Sequence, residues 1–572
     1  MATSQERLGL AGETLRTLGG LGIPKPGPAE IPALLQSDSV NLMVERASAV
    51  RPGFRLDHSN SQAIITICQR LDGLPLAIEL AAALVNSLDV HIIAQRLNDR
   101  FDLLNGSTHA PLARHQTLRA VADWSYGLLN RAERQLFDSL AVFVGGFTLE
   151  AAESLTDSHE QSGDPVAMTL SRLVDKSLVV SEDRGVSGRR YRLLDSLRLF
   201  GLERLQSNNQ LERMRMLHAS YYLIVAEHAA SALRGPDQET WLDRLSLDHD
   251  NLRSALEISM QIRDFETAAR IAGSLYPFWD LHGHYSEGRR WIEQVLRPGR
   301  DISNQARTRV LLGEATLAVI QGDPLTTMSA CREAVGLARG TGDRASLAHA
   351  LQYLGLCSMF QGELDEADSF LKESLENAIT AKDSWLESWA FVFMTSVALC
   401  RAQYELTGTL AEQCLSASGP HQDPECTGWA TLALGVSHWY AGNLTQAVPY
   451  FSEGFQIFQR LGGLWGLSLA IFMAAEVSGA RRNTEQQVIL MGAAEHLRTA
   501  IGAASHPFLV RWLEQASQTA RTILGDDEYA REWQEGDQLP LATAISLARS
   551  ELETPFFSQL PVPEASRRPA AS

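Results

Sequence analysis

Residues 70–83 read Arg-Leu-Asp-Gly-Leu-Pro-Leu-Ala-Ile-Glu-Leu-Ala-Ala-Ala, the pattern of a helix that begins after a turn. Asp72 or Gly73 can cap this helix, and Pro75 fits its first turn, where the missing N–H of proline costs nothing. The apolar residues that follow share one face of the helix, at Leu76, Leu80 and Leu84. On local physics alone, this stretch predicts a helix start and no function.

Composition describes a globular chain of several domains. With 572 residues it is too long for one hydrophobic core, so three or four domains are expected. Hydrophobic residues make up 45% and charged residues 21% of the sequence. The formal charge of −18 argues against nonspecific binding of nucleic acid over the whole surface, although a local basic patch remains compatible with it.

The cysteines and the amino terminus predict a cytoplasmic protein without a membrane span. The six cysteines show no CxxC spacing and mostly lie in apolar helical patterns, as expected for buried thiols in a reducing compartment. The first residues form no signal peptide, and no run approaches 18 consecutive apolar residues.

The first 207 residues divide into three predicted segments. Residues 1–36 are rich in Gly and Pro and form a linker, and residues 37–106 form a small helical domain. Residues 107–207 are typical of a winged helix. A first helix is predicted around Leu118, Val121, Ser125 and Leu128. Asn130 and Glu133 form a capping box for a second helix, and a third begins at Asp164-Pro165. Strands at 178–180 and 191–194 then flank a wing.

The rest of the chain repeats itself. After a helical connector at residues 208–265, turn motifs stand 40 residues apart at Gln321-Gly322-Asp323, Gln361-Gly362-Glu363, Arg401-Ala402-Gln403, Ala441-Gly442-Asn443 and Arg481-Arg482-Asn483. A fixed period with one helix before and one after each turn predicts a solenoid over residues 266–502, similar to tetratricopeptide repeats with longer helices. A helical cap at 503–554 and a disordered tail at 555–572 complete the prediction, and the fold class is mainly α.

The opening stretch also contains a short motif that resembles one in a known protein family. Gly73-Leu74-Pro75-Leu76 resembles the GLPL motif of STAND (NB-ARC) signalling ATPases, in the form found in bacterial AfsR-like and large LuxR-type regulators. In that family the proline packs against the base of the bound nucleotide, and a Met-His-Asp motif ends the winged helix. The matching residues here are Leu193-Leu194-Asp195, so the resemblance implies Gly73, Pro75 and Asp195 as remnants of a nucleotide contact, and residues 1–36 as the remnant of the nucleotide-binding domain with its linker.

The lysines exclude a phosphate-binding loop within this sequence. A Walker A motif needs Gly-Lys-Ser/Thr, and none of Lys25, Lys176, Lys372 and Lys382 follows a glycine. We therefore expect no enzymatic activity, no catalytic residues, no metal site and no cofactor, with ATP or ADP bound only if another chain supplies the P-loop. The sequence resembles a STAND protein that begins after its ATPase core, and a true truncation, a split gene and a misassigned start all fit this pattern.

The leading functional hypothesis is a regulatory scaffold of a transcriptional regulator. Its repeat groove would bind a protein, peptide or small effector, with Tyr353, Trp429 and Tyr440 as candidate contacts. Packing between helices is the simpler explanation of these aromatic residues. No membrane partner is expected.

Two alternatives remain open. The chain could be a subunit of a split ATPase switch completed by an upstream P-loop polypeptide. The winged helix could instead contact DNA phosphates through Arg189, Arg190 and Arg192, although the acidic balance of the chain weakens this reading.

Overall fold

A computed structural model describes residues 20–24, 31–71, 73, 75, 78, 81–82, 85, 88–97, 126–127, 129–156, 165–176, 178–183, 188–297, 301–419 and 422–554. The described residues form two compact units, which divide between Tyr221 and Tyr222. None of the described helices combines the length and the apolar character that crossing a membrane requires.

The first unit begins with a small helical core. Its helices are α1 (Ile31–Leu34), α2 (Asp38–Val50), α3 (Ser61–Arg70) and α4 (Val90–Arg96). Pro75, Ile78, Ala81 and Ala82 are also helical, as predicted for the opening stretch. Gly73 adopts a left-handed φ of 64°, and an added Cβ would lie 2.2 Å from the carbonyl oxygen of Leu21. Only glycine therefore allows residues 21–24 to pack against this turn.

The same unit contains the predicted winged helix. Its elements are α5 (Arg131–Leu140), α6 (Leu149–Ser154), α7 (Val166–Asp175), strands β1 (Val179–Asp183) and β2 (Arg189–Leu193), and α8 (Asp195–Ser207). The strands pair antiparallel, with Val179 opposite Leu193. The capping box is confirmed, because Asn130 accepts from the N–H of Glu133 while Glu133 accepts from the N–H of Asn130, both at 2.9 Å. The predicted first helix, with Leu118, Val121, Ser125 and Leu128, lies outside the described residues.

Paired helices build the second unit and confirm the predicted repeats. They follow α9 (Leu211–Ala232) and α10 (Gln238–Gln261). The first helices of the pairs are α11 (Phe265–Leu281), α13 (Asn304–Ile320), α15 (Arg344–Phe360), α17 (Ser384–Cys400), α19 (Pro424–Tyr440) and α21 (Leu464–Ala480). The second helices are α12 (Tyr285–Leu296), α14 (Pro324–Thr341), α16 (Leu364–Ala381), α18 (Tyr404–Ser418), α20 (Leu444–Leu461) and α22 (Thr484–Ala500). The chain continues through α23 (Pro507–Leu524), α24 (Asp526–Asp537) and α25 (Leu541–Glu553).

Turn chemistry sets the period of the array. A residue with a left-handed φ ends a helix every 20 residues from position 322 to position 502, namely Gly322, Gly342, Gly362, Lys382, Ala402, Gln422, Gly442, Gly462, Arg482 and Gly502. The predicted 40-residue repeat is thus two half-periods, one for each helix. Small residues on the first helices allow close pairing, since a Cβ added to Gly435 would lie 2.5 Å from the ring of Phe451.

The array also closes on itself. A Cβ added to Gly283, in the turn after α11, would lie 3.1 Å from Cγ2 of Ile501 and 3.3 Å from Cδ1 of Leu464, so the first pair contacts the sixth. The N–H of Ala504 donates to the carbonyl of Ile320 at 2.5 Å, and Arg511 donates to the carbonyl of Cys400 at 2.5 Å. The start of α23 therefore runs along the ends of the first helices, and the concave face becomes a partly enclosed space.

Candidate functional site

A cavity lies inside the helical array of the second unit, and we call it the central cavity. The first helices α11, α13, α15, α17, α19 and α21 all contribute to its lining, together with the end of α9, the start of α10 and His506. It leaves about 80 Å³ for the centres of water molecules. At about 10–15 Å³ for each water centre, roughly half a dozen waters or one small ligand would fill it.

The repeat period places aromatic side chains around this cavity. Trp385, Glu425 and Trp465 lie 40 residues apart on three successive first helices, and Trp389 and Trp429 lie one turn further along two of them. The Trp429 and Trp465 rings meet edge to face with centroids 5.1 Å apart, and the Trp385 and Trp389 rings lie 6.0 Å apart. Four indole rings therefore form much of the wall.

A buried carboxylate holds two of these rings. Asp423 is 2% exposed, and its Oδ2 accepts from Nε1 of Trp385 at 2.7 Å and from Nε1 of Trp389 at 3.2 Å. Its Oδ1 caps α19 by accepting from the N–H groups of Glu425 and Cys426, at 2.9 and 3.2 Å. Burial raises the pKa of Asp423, while these donors oppose the shift.

Two further carboxyl groups line the cavity. Burial raises the pKa of Asp280, near the end of α11, to about 7. Burial, reinforced by the negative charges of Asp280 and Asp423, also raises the pKa of Glu425. Glu425 accepts from Nε1 of Trp429 at 3.4 Å. The negative charges of Asp280 and Asp423 thus disfavour the ionisation of Glu425, which lines the same cavity.

One cation lies among the described lining residues. The Arg234 guanidinium lies 4.2 Å above the Trp385 ring and 3.8 Å from the Asp383 carboxylate. Next to it, burial and the charge of Arg234 lower the pKa of His349 to about 3, so this imidazole is neutral at physiological pH. Arg234, Tyr276, Pro277 and His349 also border a second, more polar cavity, which leaves about 340 Å³ for water centres and includes Glu227, Arg309 and Asp343.

The structure separates the three predicted groove residues. Tyr353 and Trp429 line the central cavity, whereas Tyr440 stacks on Tyr404 with ring centroids 3.8 Å apart and lies 5.7 Å from the Trp512 ring. Sequence reasoning missed Asp280, Trp385, Trp389 and Asp423. The available signal was the 40-residue spacing of Trp389 and Trp429, which marks one position on the same face of neighbouring repeats.

The residues implied by the GLPL resemblance lie in the first unit. Gly73 is buried beneath residues 21–23, whereas Pro75 is exposed. Asp195 begins α8, directly after the wing. Among the described residues, no group of three or more His, Cys, Asp or Glu side chains could hold a metal ion.

The three wing arginines have different surroundings. Arg190 is 7% exposed and donates to the carbonyl of Gly146 at 2.9 Å. Arg192 pairs with Glu182 at 3.1 Å, and Arg189 is exposed. On α7, Arg172 pairs with the buried Glu133 at 3.2 Å, as does the neighbouring Lys176. Four of these five described basic residues therefore make intramolecular contacts.

Comparison with known proteins extends these observations. Residues 129–206 match the family described as a winged helix-turn-helix domain. A protein of Mycobacterium tuberculosis (strain ATCC 25618 / H37Rv), named "Putative HTH-type transcriptional regulator", is 33% identical over 466 residues, which are 79% of this chain and 50% of that protein. An "Uncharacterized protein" of the same strain is 40% identical over 215 residues, 37% of this chain and 51% of its own length. The chain thus spans about half the length of the curated relatives it matches.

Solved structures give more distant similarities. A STAND protein with a tetratricopeptide repeat sensor from Pyrococcus horikoshii matches with a TM-score of 0.40 and 13% identity, over 90% of this chain and 74% of that one. NprR in complex with its cognate peptide NprX matches with a TM-score of 0.32 and 13% identity, over 55% and 97%. The chain is therefore similar in sequence to a protein named as an HTH-type transcriptional regulator, and it combines a winged helix-turn-helix domain with an array of paired helices similar to tetratricopeptide repeats.

Proposed function

We propose that the protein is an effector-responsive transcriptional regulator whose helical array binds its effector in the central cavity. The observation that carries this proposal is the partly enclosed cavity itself, which is lined by the first helices of six successive pairs and includes indole rings and carboxyl groups in its wall. Ligand sites are typically concave and mostly apolar, with a few convergent polar groups, and this cavity has that character. Its size favours a small molecule, or one side chain of a peptide or protein, over a whole peptide.

A cavity-filling variant tests the proposal in the full chain. We would screen small molecules by their effect on the melting temperature and on tryptophan fluorescence, since four indoles border the cavity. Ser396→Leu adds bulk to the lining, and Ser369→Leu adds the same bulk on the exposed side of α16 as a control. We expect compounds that bind the parent and the Ser369→Leu protein to lose affinity for Ser396→Leu. Hits that bind all three proteins equally would contradict the proposal.

In the same proposal, the chain does not hydrolyse ATP by itself. The support is the sequence, in which no lysine follows a glycine and no phosphate-binding loop can form. The alternative is a split switch in which an upstream polypeptide supplies the P-loop and Pro75 faces the shared nucleotide. Pro75 is exposed and so accessible to such a partner. MgATP turnover by the purified, contaminant-free chain would contradict the main reading, whereas turnover only after addition of the upstream polypeptide would support the split switch.

Direct DNA contact by the winged helix is a second candidate, favoured by the domain match at residues 129–206. The described helix α7, which would correspond to a recognition helix, exposes Ala167, Met168, Ser171 and Asp175, whereas its basic residue Arg172 is half-buried and paired with Glu133. Arg189 is the exposed residue of the three predicted contacts. Salt-dependent binding of duplex DNA that weakens in Arg189→Ala would support this candidate, and salt-independent binding would count against it.

A further inference from the structure

We propose that the ligand of the central cavity is a small organic cation, an alkyl- or arylalkylammonium ion held between indole rings and carboxylates. This inference rests on the proposed function of the cavity as an effector site and names the chemical class of the effector. Three features of the cavity lead to it: an excess of acidic groups, indole faces that accept cations, and a carboxylate that accepts no hydrogen bond from the described residues.

The lining is acidic. Asp280, Asp423 and Glu425 border the cavity, and among the described lining residues only Arg234 carries a fixed positive charge. Arg234 also pairs with Asp383, which does not belong to the lining. Asp423 is buried, and Asp280 and Glu425 are half-buried, so grouping the three carboxylates is costly unless positive charge compensates them. A cationic ligand would supply the positive charge that compensates these carboxylates.

The aromatic wall suits an organic cation. Cations bind over indole faces because the π system is negative there, and tryptophan is the most favourable aromatic residue for this contact. The protein already shows one example inside the cavity, since the Arg234 guanidinium lies 4.2 Å above the Trp385 ring. Trp389, Trp429 and Trp465 add three more indoles. A divalent metal suits the wall less well, since among the described residues no three His, Cys, Asp or Glu side chains are placed to hold one.

Asp280 is the group most in need of a ligand. Its carboxylate borders the cavity and accepts no hydrogen bond from the described part of the chain. Asp280 is also the penultimate residue of α11, where the negative end of the helix dipole further disfavours a carboxylate. By contrast, Asp423 and Glu425 lie at the amino-terminal end of α19, where the dipole stabilises them. An ammonium group beside Asp280 would satisfy it directly.

Binding should therefore depend on pH. In the free protein, burial raises the pKa of Asp280 to about 7. A cation favours the ionised form, so binding releases a proton and becomes tighter from pH 6 to pH 8. The ionisable groups around the same cavity, on all the packed elements, are Arg234, Tyr276, His349, Tyr353, Asp423, Glu425 and His506. Burial lowers the pKa of His349 to about 3 and of His506 to about 4, so neither imidazole changes its charge in this range.

The test uses the full chain and four probes. Tetramethylammonium and phenethylammonium represent the quaternary and the primary ammonium ligands, 2-phenylethanol is the neutral counterpart of the second, and phenylacetate is an anion. Binding is followed by calorimetry and tryptophan fluorescence at pH 8. We expect at least one ammonium probe to bind tenfold or more tightly than 2-phenylethanol, and phenylacetate to bind least. Equal binding of the charged and neutral probes would overturn the inference.

Asp280→Asn is the decisive variant because it removes the charge and keeps the size of the side chain. It loses no protein hydrogen bond among those described, and its melting curve reports whether it folds. We expect a tenfold or greater loss of ammonium affinity with 2-phenylethanol unaffected, and parent-like binding in the exposed control Asp527→Asn. Unchanged ammonium affinity in a folded Asp280→Asn protein would overturn the inference.

The two proposals fail in different ways. If only neutral or anionic compounds bind and Ser396→Leu blocks them, the proposal of a cationic ligand is refuted, whereas the proposal of an effector site in the cavity is supported. If compounds bind but Ser396→Leu blocks none of them, the cavity is not the effector site and both proposals fall.

Discussion

Nε1 of Trp385 lies 2.7 Å from Oδ2 of Asp423, although the two residues are 38 positions apart and lie in successive repeats. Asp423 is the N-cap of α19, while Trp385 belongs to the first turn of α17. One carboxylate therefore both starts a helix and orients an indole in the wall of the central cavity. The stability of the repeat and the shape of the cavity depend on the same side chain.

Replacing Asp423 should cost more than replacing an ordinary helix cap. Asp423→Ala removes the cap, worth about 1 kcal/mol, and takes the acceptor from the indole N–H groups of the half-buried Trp385 and Trp389, so we expect a loss of about 3 kcal/mol in the free energy of unfolding. Asp264 caps α11 from an exposed position, and Asp264→Ala should cost about 1 kcal/mol. Denaturant unfolding measures both, and equal losses would contradict a special role for Asp423.

Buried carboxyl groups should make the protein less stable at higher pH. Burial raises the pKa of Asp280 to about 7, and burial also raises the pKa of Glu476 to about 7. Unfolding restores values near 4, so between about pH 4 and pH 7 the folded state binds more protons than the unfolded state. Stability from these groups is fully present below about pH 4 and is lost as the pH rises through 7.

The Asp280→Asn variant isolates the contribution of Asp280 to the pH dependence of stability. The amide does not ionise, so the variant should show a smaller loss of melting temperature from pH 5 to pH 8 than the parent protein. Glu476, which accepts from Nε1 of Trp512 at 2.6 Å, should account for part of the slope that remains. Parallel stability curves for the parent and the variant over this range would show that Asp280 does not titrate as described.

Local patterns in the sequence predicted the elements well. The capping box at Asn130 and Glu133, the two wing strands and the 40-residue turns are all short-range features, fixed by residues within one turn or one hairpin. Helix α6 was missed, since its six residues are too few to show a helical period. Short elements of this kind depend on the surrounding core.

The central cavity could be predicted only in part. Tyr353 and Trp429 were candidate groove contacts, although packing between helices was the simpler explanation of the aromatic stripe, and both residues line the cavity. The closure of the array depends on Gly283 meeting Leu464 and Ile501, a contact across five helix pairs with no local signature. Asp280 lies more than 140 residues before Asp423 and Glu425, so no spacing rule joins them. Long-range packing alone brings the acidic groups together.

Backbone strain in the turns gives a prediction independent of any ligand. Ala402 has a φ of 55° where the corresponding residues of neighbouring repeats are Gly362 and Gly442. A side chain in this left-handed region costs about 1–2 kcal/mol, so Ala402→Gly should stabilise the protein by about 1 kcal/mol. Gly362→Ala should destabilise it by a similar amount through backbone strain alone, because an added Cβ meets no atom within 4 Å. Thermal unfolding of both variants measures these shifts, and opposite signs would refute the explanation.

Two arginines of the wing are expected to have different roles, one in stability and one in binding. Arg190 is buried and its guanidinium donates to the carbonyl of Gly146, so Arg190→Ala should leave that carbonyl without this donor and lower the free energy of unfolding by about 2 kcal/mol. Arg189 is exposed, and Arg189→Ala should change stability by less than about 0.5 kcal/mol. A double replacement would therefore confuse unfolding with lost binding.

The single variants resolve this ambiguity. If the winged helix contacts DNA through the wing, Arg189→Ala should weaken binding at unchanged stability and reduce the slope of log affinity against log salt by about 1. If only Arg190→Ala weakens binding, and does so in proportion to its loss of folded protein, the arginines serve the fold. A folded Arg190→Ala protein as stable as the parent would show that the Gly146 contact contributes little, and would return Arg190 to the set of candidate DNA contacts.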